Sequence, residues 1–302
     1  MATEGNRSMA KQAQKPAAEP NGVGLVYTEW FPGATGLSFK VKEIIEDVQS
    51  EFQRIQLFST ETHGKLLVMD DCVMLSERDE SAYHEMIVHV PLLTHPNPKR
   101  ILVIGGGDGG TLREIVRHPE VELARQVEID GEVVRICKEH LPKIAAAYDH
   151  PKVDLIIGDG VKHVKEADDA HYDVVLVDST DPFGPALGLF GEEFYSNVHR
   201  ILDRDGVMVC QAESTMYGME MLKAITSTLR GIFPLLRVYN SEIPVYPSGT
   251  WSFAFASKGP DPLQPLEPAR VSLIAEGCHY WNPEIHRGSF ALPAYVRREL
   301  NL

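Results

Sequence analysis

The chain has 302 residues, 43% hydrophobic and 24% charged, a balance that excludes a mostly disordered, collagen-like or coiled-coil protein. Its length favours two unequal domains or one large α/β unit. A formal net charge of −14 disfavours nucleic acid as a partner and fits a cationic ligand, although many cytoplasmic proteins are equally acidic. The sequence has no run of about 20 apolar residues, so no membrane helix is expected.

The first quarter of the chain predicts a tail followed by a small β domain. Residues 1–20 are rich in Ala, Lys, Gln and Pro without an apolar stretch, which predicts a flexible tail and no secretory signal. Residues 21–76 contain short alternating bursts, at 25–31, 52–58 and 65–69, separated by Gly and Asp turns. We therefore predict a small N-terminal antiparallel β domain. Its edges need covering, for which a second subunit is one solution.

Residues 77–302 predict a larger α/β domain. Residues 77–93 show helical spacing, with Ser76 as the expected N-cap and two prolines, at 96 and 98, ending the helix. Short β-branched runs then alternate with helical segments, a pattern typical of strands buried on both faces. These runs are 101–104, 124–128, 153–157, 174–177 and 207–211, with two further strand-like stretches at 237–239 and 252–256 that would finish an edge. The pattern predicts a doubly wound, Rossmann-like parallel sheet, and from residue 260 a proline-rich segment and then helices packed outside it.

A glycine-rich loop follows the first strand of this sheet. Residues 105–110 read GGGDGG and lead into a helix, which satisfies G-x-G-x-x-G in a strand–turn–helix context. The carboxylate of Asp108 would face the pyrophosphate of a dinucleotide, so this residue disfavours NAD and favours a cationic ligand. The alternative is that Asp108 simply caps the start of the helix.

Acidic residues also end the next three strands. Glu128 ends the second strand, where an acid can accept hydrogen bonds from two ribose hydroxyls. Asp159 and Asp178 follow the third and fourth strands. Because parallel strands end at one edge of a sheet, we expect these three acids to meet Asp108 there. The alternatives are a solvated strand end for Glu128 and an Asp-Gly turn for Asp159. The four scattered cysteines indicate reduced thiols in a cytoplasmic protein and no zinc site.

Taken together, these motifs resemble the polyamine aminopropyltransferase family, which includes the spermidine synthases. The resemblance runs from about residue 23 to the end of the chain. The motifs that carry it are GGGDGG at 105–110 with LRE at 112–114, EID at 128–130, GDG at 158–160, DSTDPFGP at 178–185, ERDE at 77–80 with YHE at 83–85, and IPVYPSG at 243–249. His84 and ALPAY at 291–295 are similar to bacterial members. The resemblance implies a fold like that of S-adenosylmethionine-dependent methyltransferases.

The resemblance also implies a reaction and its residues. An amine would attack decarboxylated S-adenosylmethionine directly, with Asp178 as the catalytic acid that accepts its proton and without a cofactor or a metal. The donor-binding residues implied are Gln53, Asp108, Glu128, Asp159, Gly160 and Pro185. The acceptor-binding residues implied are Tyr83, His84, Asp108, Asp178, Asp181 and Tyr246. Without the motifs, Gln53 would be an ordinary strand residue, the two tyrosines core aromatics and His84 a helix-face histidine.

Some questions stay open at this point. Putrescine is the family's usual acceptor. The sequence does not distinguish it from cadaverine, agmatine and spermidine, because these amines differ mainly in the length of the pocket that they need. The resemblance suggests a homodimer or a homotetramer. Met74 stands where many relatives carry a glutamine, which puts donor affinity in doubt. A methyltransferase, a nicotinamide dehydrogenase and a catalytically silent binding protein are the alternative functions. A ring of acids is poorly suited to the zwitterionic methionine group that a methyltransferase binds, and Asp108 disfavours a dehydrogenase.

Overall fold

The computed structural model describes residues 24–33, 35–181 and 184–302, with the side chains of residues 184 and 185 excepted. The tail predicted at residues 1–20 lies outside the described residues. In the part of the chain that is described, no helix is both long and apolar enough to cross a membrane. The four cysteines are free thiols.

A five-stranded antiparallel sheet forms the first part of the described chain, as predicted. Its strands are β1 (Leu25–Phe31), β2 (Thr35–Gln49), β3 (Arg54–Thr60), β4 (Lys65–Met69) and β5 (Cys72–Ser76), paired in chain order. The 15 residues of β2 form one long strand that bends at two register shifts. The sequence did not single out β2, because most of its side chains are exposed and it lacks a clean apolar alternation.

Helix α1 (Glu80–Thr94) follows β5 and is buried over most of its length. The prediction that Ser76 caps this helix is wrong. Ser76 ends β5, and its hydroxyl donates to the side chain of Asp79 at 2.6 Å, so the helix begins later, after Asp79. The helix ends at Thr94, before Pro96, as expected.

A seven-stranded sheet forms the larger part of the molecule. Its strands are β6 (Arg100–Gly105), β7 (Leu123–Glu128), β8 (Val153–Ile157), β9 (Tyr172–Asp178), β10 (Leu202–Gln211), β11 (Leu235–Glu242) and β12 (Thr250–Ser257). The spatial order is β11-β12-β10-β9-β6-β7-β8. The five strands from β10 to β8 run parallel, whereas β12 and β11 add an antiparallel edge. The predicted doubly wound sheet is confirmed. The prediction that these strands are buried on both faces is wrong for β8. This strand lies at the edge of the sheet and stays partly exposed.

Helices cover both faces of this sheet. They are α2 (Gly110–Ile115), α3 (Gly131–His140), α4 (Gly160–Glu166), α5 (Glu192–Ile201), α6 (Met219–Ile232), α7 (Pro268–Ala275), α8 (Pro283–Gly288) and α9 (Ala294–Glu299). Along β6, Ile101 and Val103 pack in one apolar core while Leu102 and Ile104 pack in another, on the opposite face. The carboxyl ends of the parallel strands therefore open at one edge between two covered faces.

Candidate active site

A cleft of about 130 Å³ opens at this edge, between the carboxyl ends of the parallel strands and the N-terminal sheet. The four acids that the topology was expected to bring together all line it. The predicted site residues that line the cleft are Gln53, Tyr83, His84, Asp108, Glu128, Asp159, Gly160, Asp178 and Tyr246. Asp181 lines a smaller neighbouring cavity, and the side chain of Pro185 is outside the described part of the chain.

The backbone of the glycine-rich loop at residues 105–110 lies against the end of β9. Gly105 and Gly106 have φ of 84° and 71°, in the left-handed region that favours glycine. A Cβ on Gly106 would lie 2.7 Å from Oδ2 of Asp178, and one on Gly105 would lie 2.2 Å from the Asp178 carbonyl oxygen. Glycine is therefore required at both positions for the loop to pass beside this carboxylate.

Asp108 holds the start of α2 and is also a lining residue of the cleft. Its Oδ1 accepts a hydrogen bond from the backbone N–H of Gly110, the first residue of α2, at 2.7 Å. The same oxygen lies 3.1 Å from Nε2 of His84. Asp108 also lines the cleft, so its place at the start of the helix is compatible with a role toward a ligand.

His84 is a buried imidazolium between two carboxylates. Its Nδ1 lies 2.6 Å from Oε2 of Glu80, and its Nε2 contacts Asp108. Burial alone would disfavour the charged ring, but these two acids raise the pKa of His84 to about 10. Arg113 donates two hydrogen bonds to Glu80, and despite burial the pKa of Glu80 falls to about 2. The sequence motifs contain Glu80 and Arg113, but no spacing argument assigned them to His84.

Asp178 is buried at the end of β9 with both oxygens occupied. The Tyr83 hydroxyl donates to Oδ1 at 2.7 Å, and the Thr111 hydroxyl donates to Oδ2 at 2.6 Å. Burial and the charge of Asp108 raise the pKa of Asp178, against the opposing effects of His84 and the two hydroxyls. Sequence reasoning missed Thr111. Its position directly after GGGDGG, in the first turn of α2, is the signal that could have found it.

Glu128 and Gln53 also line the cleft. Glu128 is buried, which excludes a solvated strand end, and its Oε1 accepts a hydrogen bond from the backbone N–H of Asp130 at 2.8 Å. Burial raises the pKa of Glu128 to about 7. Gln53 donates from Nε2 to Oδ2 of Asp130 at 3.0 Å. This bond joins the N-terminal sheet to the start of α3.

Asp159 is exposed at the start of α4. Its Oδ1 accepts hydrogen bonds from the backbone N–H groups of Val161 at 2.8 Å and Lys162 at 3.2 Å. Asp159 is therefore the N-cap residue of α4. Asp159 also lines the cleft together with Gly160, whose Cβ would lie 2.5 Å from a methyl carbon of Ile104.

A second cavity of about 50 Å³ adjoins the cleft on the far side of Tyr83 and Tyr246, which line both. Asp181 and Glu29 supply its carboxyl groups. Among the described residues that line it there is no lysine, arginine or histidine. Tyr246 is held by a hydrogen bond from its hydroxyl to the backbone oxygen of Met74 at 2.5 Å. Sequence reasoning missed Glu29, because nothing in the pattern of β1 shows that this glutamate is buried.

Outside the cleft, one group of possible metal ligands occurs among the described residues. Ligand atoms of Glu46, Glu139 and His140 lie within 4.8 Å of one another. None of the three lines the cleft. This group is therefore separate from the acids that line the cleft.

Together, the fold and the cleft define a Rossmann-like α/β enzyme whose small-molecule site is lined by acids. The chain belongs to the spermine/spermidine synthase family, because residues 80–264 match the spermine/spermidine synthase domain and residues 25–77 match the spermidine synthase tetramerisation domain. The resemblance inferred from the motifs is confirmed.

Known relatives and solved structures support the same family assignment. The polyamine aminopropyltransferase of Bacillus cytotoxicus is 42% identical over 90% of this chain and 98% of its own length, and that of Caldicellulosiruptor saccharolyticus is 43% identical over 91% and 97%. A spermidine synthase in complex with the transition-state analogue AdoDATO has a TM-score of 0.89 at 40% identity, covering 92% of this chain and 95% of that one. The spermidine synthase of Thermotoga maritima has a TM-score of 0.88 at 39% identity, covering 93% and 95%.

Proposed function

We propose that this enzyme transfers the aminopropyl group of decarboxylated S-adenosylmethionine to putrescine, giving spermidine and 5′-methylthioadenosine. The observation that carries the proposal is the continuous acidic lining from Asp108 through Asp178 to Asp181. The donor carries a sulfonium and an ammonium, and the acceptor is a diamine. An acidic site with no basic group beyond His84 among its described lining residues matches both substrates. The donor is a substrate, and the proposed reaction uses no resident cofactor.

Different residues of the cleft bind different parts of the donor. Glu128 accepts hydrogen bonds from the two ribose hydroxyls, and Asp159 with Gly160 faces the adenine near Pro185. Asp108 pairs with the aminopropyl ammonium, and Gln53 lies beside the methylthio group. Met74 replaces the glutamine of many relatives, so one hydrogen bond to the donor is missing here. The burial of Glu128 and the cleft position of the other described residues support this arrangement.

The acceptor half lies between the two tyrosines and the loop after β9. His84 takes part through Asp108, because its Nε2 lies 3.1 Å from Oδ1 of that residue and orients the carboxylate beside the aminopropyl chain. Tyr83 and Tyr246 flank the alkyl chain of the diamine. Asp178 faces the attacking nitrogen, and Asp181 pairs with the distal ammonium in the second cavity.

The proposed step is a direct displacement. The nitrogen lone pair of the acceptor attacks the methylene next to sulfur, the carbon–sulfur bond breaks, and its electron pair neutralises the sulfonium to a thioether. The proton on nitrogen passes to Asp178. An alkylammonium has a pKa of ~10.4 and an ordinary aspartate one of ~3.9, so moving a proton from the amine to the carboxylate costs about 9 kcal/mol. Burial lowers this cost, because it raises the pKa of Asp178 and disfavours the charged form of the amine.

The proposed organisation follows the two sheets. We assign residues 21–76 to an N-terminal β domain and residues 77–302 to the catalytic domain of a cytoplasmic enzyme. The edge strand β1 exposes Leu25, Val26 and Trp30, the last at 71%. These apolar side chains and the match to a tetramerisation domain support a homodimer or a homotetramer formed through this sheet.

Mass spectrometry of the products tests the proposal. The purified enzyme is incubated with decarboxylated or ordinary S-adenosylmethionine and with putrescine, cadaverine, agmatine or spermidine. We expect methylthioadenosine and spermidine from the decarboxylated donor with putrescine. Methyl transfer from ordinary S-adenosylmethionine would instead identify a methyltransferase. If product forms only with another amine, the proposed reaction stands and that amine is the acceptor instead of putrescine.

A further inference from the structure

Arg113 joins two carboxylates next to the cleft. Its two terminal nitrogens donate to Oε1 and Oε2 of Glu80 at 2.9 and 2.8 Å, and its Nε donates to Oε1 of Glu114 at 2.8 Å. Glu80 lines the cleft, whereas Arg113 and Glu114 do not. Arginine suits this place, because its planar group can hold one carboxylate with two parallel hydrogen bonds and still donate to a second.

Glu80 connects Arg113 to the cleft through His84. Oε2 of Glu80 lies 2.6 Å from Nδ1 of His84, and Nε2 of the same ring lies 3.1 Å from Oδ1 of Asp108. Ionised carboxylates only accept hydrogen bonds, so both ring nitrogens donate and the ring is held at both ends. The backbone N–H of Gly110 donates to the same oxygen of Asp108. Both bonds go to Oδ1, which leaves Oδ2 as the oxygen that can accept from a ligand.

The other side of Arg113 is anchored away from the cleft. Glu114 is buried, and its Oε2 contacts the guanidinium of Arg117. Arg117 in turn donates to the backbone oxygen of Ile274 at 2.7 Å. Positive and negative groups alternate along this row, so each partly or fully buried charge has an opposite neighbour. Arg113 therefore bonds both to a fixed anchor and to Glu80.

We propose that Arg113 is a positioning residue for the aminopropyl group of the donor. It holds Glu80 and His84 in place, and the fixed ring directs the carboxylate of Asp108 toward the donor ammonium. The inference rests on the proposed function, because it needs a donor with an ammonium at Asp108. Methylthioadenosine lacks the aminopropyl group, so its binding does not use this carboxylate. Loss of Arg113 should therefore weaken the donor selectively, whereas a general loss of packing would weaken both ligands.

Calorimetry with the two ligands tests this role. Decarboxylated S-adenosylmethionine and methylthioadenosine are titrated separately into the wild type and Arg113→Met, without an amine acceptor. We expect donor affinity to fall about tenfold, or ~1.4 kcal/mol, and methylthioadenosine affinity to stay within about twofold. Arg135→Met is the matched control. Arg135 also bridges two glutamates, Glu132 and Glu139, but is exposed, so both affinities should stay unchanged. Equal loss for both ligands, or loss for neither, would overturn the proposal.

A double-mutant cycle shows whether Arg113 acts through Asp108. In an Asp108→Asn background, Arg113→Met should cause little further loss of donor affinity, because the carboxylate that it positions is already absent. Losses that add would contradict the inference, since Arg113 would then act on the donor by another route.

Arg113→Lys covers the case in which Arg113→Met fails to fold. Lysine keeps the charge but cannot hold Glu80 with two parallel bonds, so donor affinity should still fall, about threefold, with methylthioadenosine affinity unchanged. Donor affinity equal to that of the wild type would contradict the inference and leave the proposed function standing. If the wild type binds neither ligand, the proposed function itself fails.

Discussion

The hydroxyl of Tyr83 donates a hydrogen bond of 2.7 Å to Oδ1 of Asp178, and it joins α1 to the end of β9. Burial and the nearby Asp178 charge raise the pKa of Tyr83 well above its usual value, so the hydroxyl keeps its proton and remains a donor. Thr111 holds the other oxygen of Asp178. The carboxylate is thus fixed in orientation before a substrate arrives, which reduces the reorganisation needed for proton transfer.

Asp178→Asn tests this carboxylate as the proton acceptor. The amide keeps the size of the side chain and can still pair with both hydroxyls, so the donor site should stay intact. Turnover at saturating substrates should fall by ~10² or more, with little change in methylthioadenosine affinity. Turnover equal to that of the wild type would remove Asp178 from this role.

Glu128→Gln tests the ribose site. The loss of a charged acceptor should weaken methylthioadenosine binding by ~1.5 to 3 kcal/mol, measured by calorimetry. The pKa of about 7 adds a pH dependence, because only the ionised carboxylate accepts from both hydroxyls. Affinity of the wild type should therefore rise as pH increases from 6 to 8 and level off above, while the variant shows no such rise. Unchanged product affinity in the variant would place the ribose elsewhere.

Asp108→Asn tests whether the charge of this residue makes the site discriminate against ordinary S-adenosylmethionine. Its extra carboxylate would lie beside Asp108, and two like charges ~4 Å apart at an effective dielectric of ~20 repel by about 4 kcal/mol. That repulsion corresponds to nearly three decades of affinity at ~1.4 kcal/mol each. The substitution should weaken the decarboxylated donor and weaken the carboxylated one less, or strengthen it. A constant ratio of the two dissociation constants would show that shape excludes the carboxylate.

His84→Gln tests the buried imidazolium. The pKa of His84 is raised from 6.5 to about 10 in the folded protein, so its protonation stabilises the fold fully below pH 6.5, and this contribution is lost as pH rises through 10. The stability difference between wild type and variant in urea unfolding should therefore shrink between pH 6.5 and 10. A difference independent of pH would mean that His84 is neutral.

Gly110→Ala tests the close packing of α2 against His84. A Cβ at Gly110 would lie 2.3 to 2.6 Å from the imidazole ring, so the ring must move away from Asp108. We expect a lower melting temperature and weaker donor binding. Gly231→Ala is the matched control, because it lies in α6 with nothing within 4 Å and should stabilise the protein by ~0.5 to 1 kcal/mol. Equal effects of the two changes would exclude a steric role for Gly110.

The strands of the seven-stranded sheet and the four acids at its edge could be predicted from the sequence because their signals are local. A buried parallel strand is a short apolar run, and a close turn needs glycine at fixed positions. Parallel topology then brings Asp108, Glu128 and Asp178 to one edge without any knowledge of distances. The start of α1 was misjudged, because Ser76 is an equally good cap or strand residue by type and only the pairing of β5 decides which.

Only the tertiary structure decided the charge states and the partners in the cleft. The contacts of His84 with Asp108 and of the Thr111 hydroxyl with Asp178 join segments that are far apart in the chain. A pKa depends on burial and on charges a few ångströms away, and neither quantity is encoded in the spacing of nearby residues. The sequence by itself therefore determined which chemical groups gather at the sheet edge, whereas packing determined which of them carry a proton.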